Sequence, residues 1–74
     1  MQIKIGKRVY TVESTKTARN HHGQNQRYTD MKGKKGAQVT LVETFCKHGT
    51  VATLIHFGRM NPRENINAEL IDRS

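Results

Sequence analysis

Hydrophobic side chains return at every second position over residues 1–15 of this chain. Ile3 and Ile5 are followed by Val9 and Thr11, while Arg8, Tyr10 and Val12 take the alternate positions. In an extended chain successive side chains leave opposite faces, so this two-residue period, rich in β-branched residues, predicts a strand. Gly6 predicts a bend or break within it. Alternation returns over residues 38–45 and 50–57, where Val51, Thr53, Ile55 and Phe57 share one face and His56 alternates outward. The short link Cys46-Lys47-His48-Gly49 between these runs predicts a hairpin. Residues 58–62, with Gly58 and Pro62, end the pattern. Ile66 and Leu70, four apart, predict one helical turn capped by Asn65 or Asn67.

Residues 16–36 follow neither period. Ala18, Tyr28 and Met31 are their only apolar side chains besides glycine, and the stretch from Asn20 to Gln26 is made of amides, two histidines and Gly23. That composition predicts a long loop, mobile over residues 17–27. Together the segments predict an all-β fold: a single domain over residues 1–74, built as a small barrel with a long first loop and a terminal one-turn helix.

Size and composition narrow the class. At 74 residues, 34% hydrophobic, the chain is near the lower limit for a self-supporting core. A lone cysteine, Cys46, excludes an internal disulfide, and with no secretory leader in view the expected compartment is the cytoplasm. No apolar run approaches the ~20 residues that span a bilayer, so no membrane is expected as a partner.

Charge changes the picture most. Residues 1–36 carry nine Lys/Arg against two acids, a net +7, and residues 37–74 carry four against four. Such asymmetry points to a basic patch that meets an anion, most often a phosphate backbone. The candidate contacts are Lys7, Arg8, Lys16, Arg19, Arg27, Lys32, Lys34 and Lys35. Gly33 and Gly36 would let backbone N–H groups come close to a phosphate. Tyr28 and Tyr10 offer stacking surfaces for an unpaired base or, equally, packing surfaces within the sheet. Four aromatic residues in all argue against a broad stacking platform, so phosphate contacts should dominate.

At this point the residues resemble a family. Residues 3–9, Ile-Lys-Ile-Gly-Lys-Arg-Val, are similar to the opening strand of SH3-like small barrels. Residues 32–36, Lys-Gly-Lys-Lys-Gly, leading into Val39 and Leu41, resemble the glycine-containing turn of KOW-type barrels from ribosomal and transcription-elongation proteins. Val51 to Phe57 with Gly58 looks like their next strand. Gly33-Lys-Lys-Gly36 followed by Val39 and Val42 also resembles the GxxG loop of KH domains, which needs helices on both sides. Either resemblance implies a nucleic acid ligand.

Other chemistry finds little support. His21 and His22 are neighbours that point apart in an extended chain, and Cys46 with His48 is a single pair without the second pair of a structural zinc site, so no metal and no cofactor is expected. No nucleophile elbow, P-loop or dinucleotide fingerprint is present, so the chain is not expected to be an enzyme. The expected function is nucleic acid binding, to DNA or RNA, in an accessory or regulatory role in transcription, translation or chromosome organisation. The alternative is a protein-binding regulator or inhibitor, of the kind mobile elements encode, whose basic loop docks on an acidic protein surface. A homodimer through an edge strand such as residues 50–57 is a further expected partner state.

Overall fold

A computed structural model describes residues 1–73. Seven strands form one antiparallel sheet: β1 (Gln2–Ile5), β2 (Arg8–Arg19), β3 (Asn25–Lys32), β4 (Gln38–Cys46), β5 (Gly49–His56), β6 (Arg63–Ile66) and β7 (Ile71–Arg73). Their spatial order is β6-β5-β4-β3-β2-β1-β7, curled into a half-barrel. The first six strands are a simple meander. β7 then returns to pair with β1, reached through a 3-10 turn at Ala68–Leu70 that is capped by Asn67, whose side-chain oxygen accepts from the Glu69 N–H. The Gly6 N–H donates to the Leu70 carbonyl at 3.3 Å, fastening this turn to the first hairpin.

The expected long basic loop is absent. Residues 16–19 belong to β2 and residues 25–32 to β3, and the two strands pair from Thr11↔Lys32 to Arg19↔Asn25. A tight turn joins them, organised by Asn20: its side-chain oxygen accepts from the backbone N–H of His22 and Gln24, at 3.0 and 2.9 Å. Gly23 completes it with φ +78°. The amides that resembled loop composition are the turn chemistry of a hairpin. His21 and His22 do not point apart there; their ring centroids are 3.9 Å from each other.

The core lies on the inner face of the curl. Ile3 and Ile5 from β1, Tyr10 from β2, Met31 from β3, Val39 and Leu41 from β4, and Ala52 and Leu54 from β5 are buried. Val12, Ile66, Ala68 and Ile71 close over them. Two details of phase depart from the sequence reading. The Gly6-Lys7 turn pairs Ile5 with Arg8, so Tyr10 and Val12, rather than Val9 and Thr11, join Ile3 and Ile5 inside. In β5 the inner residues are Ala52, Leu54 and His56, because Leu54 sits opposite Leu41 and Ala52 opposite Glu43. Val51, Ile55 and Phe57 therefore face outward, although they are the larger apolar set.

A register shift at Glu13, between Val12 and Ser14, divides β2. A bulge of this kind inserts one residue and reverses which side chains face in. Tyr10 and Val12 face the core before it; Ser14, Lys16 and Ala18 share the outer face after it. The four-residue β1 covers only the first part of β2, so residues 14–19 form an open edge guarded by Lys16 and Arg19. Both sides of β5 are paired, over Ala52–Ile55 by β6 and along its length by β4. Residues 50–57 are thus not the edge that a dimer would use.

The inner face also holds an ion cluster. Glu43, 3% exposed, pairs with Arg27 of the neighbouring strand at 3.2 Å and with Arg73 of β7. Arg27 in turn lies over the Phe45 ring, 5.4 Å from its centroid. A buried carboxylate persists only with hydrogen-bonded cationic partners, and here the partners come from strands on both sides of the curl. The cluster ties β7 back across the interior.

Candidate nucleic-acid interface

Alternate turns of a meander emerge at the same end of the sheet. The β1–β2 turn, the β3–β4 turn and the link from β5 to β6 therefore share one end, and each brings cations. Lys7 comes from the first, Lys34 and Lys35 from the second, and Arg59 from the third. With Arg8, Tyr10 and Gly33 they line an open cleft of about 500 Å³. Among the described residues Lys7, Lys34, Lys35 and Arg59 make no ion pair. Converging cations without ion-pair partners give this end of the sheet a positive potential.

Two backbone hydrogen bonds close the β3–β4 turn. The Gly33 N–H donates to the Ala37 carbonyl at 2.9 Å and the Gly36 N–H to the Gly33 carbonyl at 3.0 Å. Gly36 has φ +78°, a conformation that side chains other than Gly rarely adopt. These two N–H groups are therefore spent on the turn, and the expected backbone contacts from Gly33 and Gly36 to a phosphate are replaced by their role in presenting Lys34 and Lys35.

Arg8 differs from the other cleft cations. Its guanidinium grips Glu64 of β6 in a bidentate pair, at 2.9 and 2.7 Å, and Nη1 also lies 3.4 Å from the Tyr10 hydroxyl. The hydrogen bond to Glu64 raises the Arg8 pKa. Glu64 is shared: its Oε1 is 2.9 Å from His56 Nε2. The hydrogen bond from Arg8, and then that from His56, pull its carboxyl from the ordinary 4.5 down to about 2. His56 thus faces inward, against the sequence expectation. β2 and β6 lie far apart in the sheet order, so this pair closes the curl at the cleft end.

The remaining predicted contacts lie apart from the cleft. Lys32 is beside it, 3.5 Å from Glu13. Arg27 is turned inward onto Glu43, and Arg19 stands at the opposite end of the sheet, its Nε 3.4 Å from the Asn25 side-chain oxygen. Lys16 and Tyr28 are cross-strand neighbours on the outer face. Tyr28 donates its hydroxyl hydrogen to Gln26 at 3.2 Å, and Tyr10 is a core residue, 6% exposed. Arg59 escaped the sequence reading because its half of the chain is neutral. The available signal was positional: a cation in a Gly/Pro break after the fifth strand must emerge beside the first and third turns.

Among the described residues no three His, Cys, Asp or Glu side chains gather as a metal site, and no helix is long and apolar enough to cross a membrane. In comparisons with known proteins, no family model, no curated protein and no solved structure matches the chain.

Proposed function

We propose that the chain binds nucleic acid through its phosphate backbone, held at the turn end of the sheet by Lys7, Lys34, Lys35 and Arg59. The observation that carries this reading is the convergence of four cations without ion-pair partners from three separate turns on one cleft. A phosphate chain presents anions at regular spacing, and cations on separate turns can meet successive ones while condensed counterions are released. The role would be accessory or regulatory, without chemistry of its own. The SH3-like resemblance belongs to the same proposal. A meander, a 3-10 turn and a last strand returned to the first are consistent with it, whereas the strands flanking Gly33 and Gly36 occupy the places where a KH domain needs helices.

The test is the triple variant Lys34→Ala, Lys35→Ala, Arg59→Ala in anisotropy titrations with single-stranded and duplex DNA and structured RNA. We expect affinity to fall more than roughly tenfold, with about three fewer counterions released in the log–log salt plot. The thermal midpoint should move by no more than a few degrees, since these turn cations carry no ion pair. Unchanged binding in that variant would remove the cleft from the interface. Absence of binding by the unaltered chain would favour the alternative, docking on an acidic protein surface.

A further inference from the structure

The outer face of the sheet, opposite the core, has no partner within the described chain. Between β2 and β5 it carries a groove of about 420 Å³ lined by Lys16, Ala18, Tyr28, Asp30, Ile55 and Phe57. We propose that this groove takes unpaired nucleobases of a single strand whose phosphates lie on the cleft lysines and on Lys16. The inference rests on the nucleic-acid reading above and adds which form of nucleic acid is bound.

Three observations point to this occupant. First, the groove is continuous with the charged end. Phe57 is two residues before Arg59, and its backbone N–H donates to the Gln38 carbonyl at 3.4 Å, extending the β5 pairing one step toward the cleft. A strand leaving the cleft meets Phe57, 59% exposed, before it reaches Ile55 and Tyr28. Second, the groove is built to hold flat rings. The Tyr28 hydroxyl is held by Gln26, whose amide donates to Thr44 at 3.0 Å, so one wall is fixed before anything binds. Rings stack on such side chains whatever the base, because each base has a π face.

Third, the charge in the groove is mixed in the sense a base requires. Asp30 stands between the aromatic walls, held by the hydroxyls of Thr40 at 2.7 Å and Ser14 at 3.0 Å. Those two hydrogen bonds, Thr40 first, lower its pKa and keep it an acceptor. A carboxylate repels a phosphate but accepts from base N–H groups such as the cytosine amino group. Lys16, cross-strand from Tyr28, supplies the cation for a phosphate between stacked bases. A duplex would leave both aromatic walls unused, since its base faces are already stacked.

The test compares a short mixed-sequence DNA single strand with the same strand annealed to its complement, at one salt concentration. Phe57→Ala and Tyr28→Ala should each weaken the single strand roughly tenfold and the duplex by no more than about twofold. Phe57→Tyr and Tyr28→Phe, which keep a ring, should retain single-strand affinity and show that the loss is one of stacking rather than of folding. Equal weakening of both forms would overturn the proposal. So would single-strand affinity untouched by both alanines while the cleft variant loses it; that result preserves the phosphate reading and leaves the groove to a protein partner. No binding of either form by the unaltered chain would sink both proposals together.

Discussion

Two acids inside this curl do the same formal job at opposite ends, and their surroundings give them different consequences. Glu43 holds Arg27 and Arg73 where its side chain is 4% exposed; Glu64 holds Arg8 and His56 where its own is 39% exposed. In each case one carboxylate serves two nitrogen partners and joins strands distant in the sheet order. At the Glu43 end water cannot replace a lost partner, so the cluster is a fastening. At the Glu64 end water can, and one of the tethered cations, Arg8, borders the cleft lined by Lys7, Lys34, Lys35 and Arg59. Ion pairs at exposed sites contribute little to stability, whereas breaking a buried one leaves an uncompensated charge.

Glu43→Gln breaks the comparison most severely. It leaves two guanidinium side chains, 35% and 26% exposed, facing a neutral amide and should cost about 2 kcal/mol, read as the shift in urea midpoint. Glu64→Gln should cost less than about 1 kcal/mol by the same measurement. Equal losses would mean that exposure does not separate the two clusters.

The next effect is on binding and runs the other way. Removing the Glu64 charge releases the Arg8 guanidinium beside Lys7 and Lys35, so Glu64→Gln should tighten nucleic acid binding by roughly threefold to tenfold, about the worth of one added phosphate contact. Unchanged affinity would place Arg8 outside the interface.

The smallest effect is in acid. The Glu64 carboxyl falls from 4.5 in the unfolded chain to about 2 when folded, so below 4.5 the unfolded chain holds the extra proton and stability rises with pH. The contribution of Glu64 is complete above about 4.5 and lost as the pH drops toward 2. Asp30 is lowered as well, so the decline in the unaltered chain is not due to Glu64 alone. The difference between the unaltered chain and Glu64→Gln isolates it: that gap should narrow between pH 5 and pH 2.5 in denaturant titrations, and a constant gap would exclude the assignment.

How much of this was legible in the sequence depended on whether a local rule decided the outcome. Residues 38–45 and 50–57 read correctly as a hairpin because alternation and the Gly49 turn agree, and of the two caps expected for a helical turn, Asn65 or Asn67, it is Asn67 that caps a 3-10 turn. Residues 16–36 failed because strands with polar side chains on both faces, Thr15, Thr17 and Arg27 inside and Lys16 and Gln26 outside, have no hydrophobic period; β2 and β3 are held there by ladder hydrogen bonds, and β3 and β4 by cross-strand polar pairs such as Gln26 with Thr44. The faces of β5 were reversed because the more apolar set, Val51, Ile55 and Phe57, lies outside. The bulge at Glu13 leaves no compositional trace, yet it decides that Lys16 stands beside Tyr28. Of the cleft, Lys7, Arg8, Lys34 and Lys35 were visible as charge, and Arg59 became visible only through the topology that gathers alternate turns.

The return of β7 to β1 has a consequence for how the molecule forms. Every other strand pairing joins sequence neighbours across a short turn, so each can zip up as a local hairpin with a small loop-closure cost. The last joins Ile3 to Arg73 through only three residue pairs. Such a contact is expected to form late and to open readily, since few hydrogen bonds oppose the recovered chain entropy. Arg73 rides on that strand. Each opening of that seam therefore takes one of the two cations from Glu43, so the weakest pairing of the half-barrel and its buried ion cluster are coupled at Ile71–Arg73.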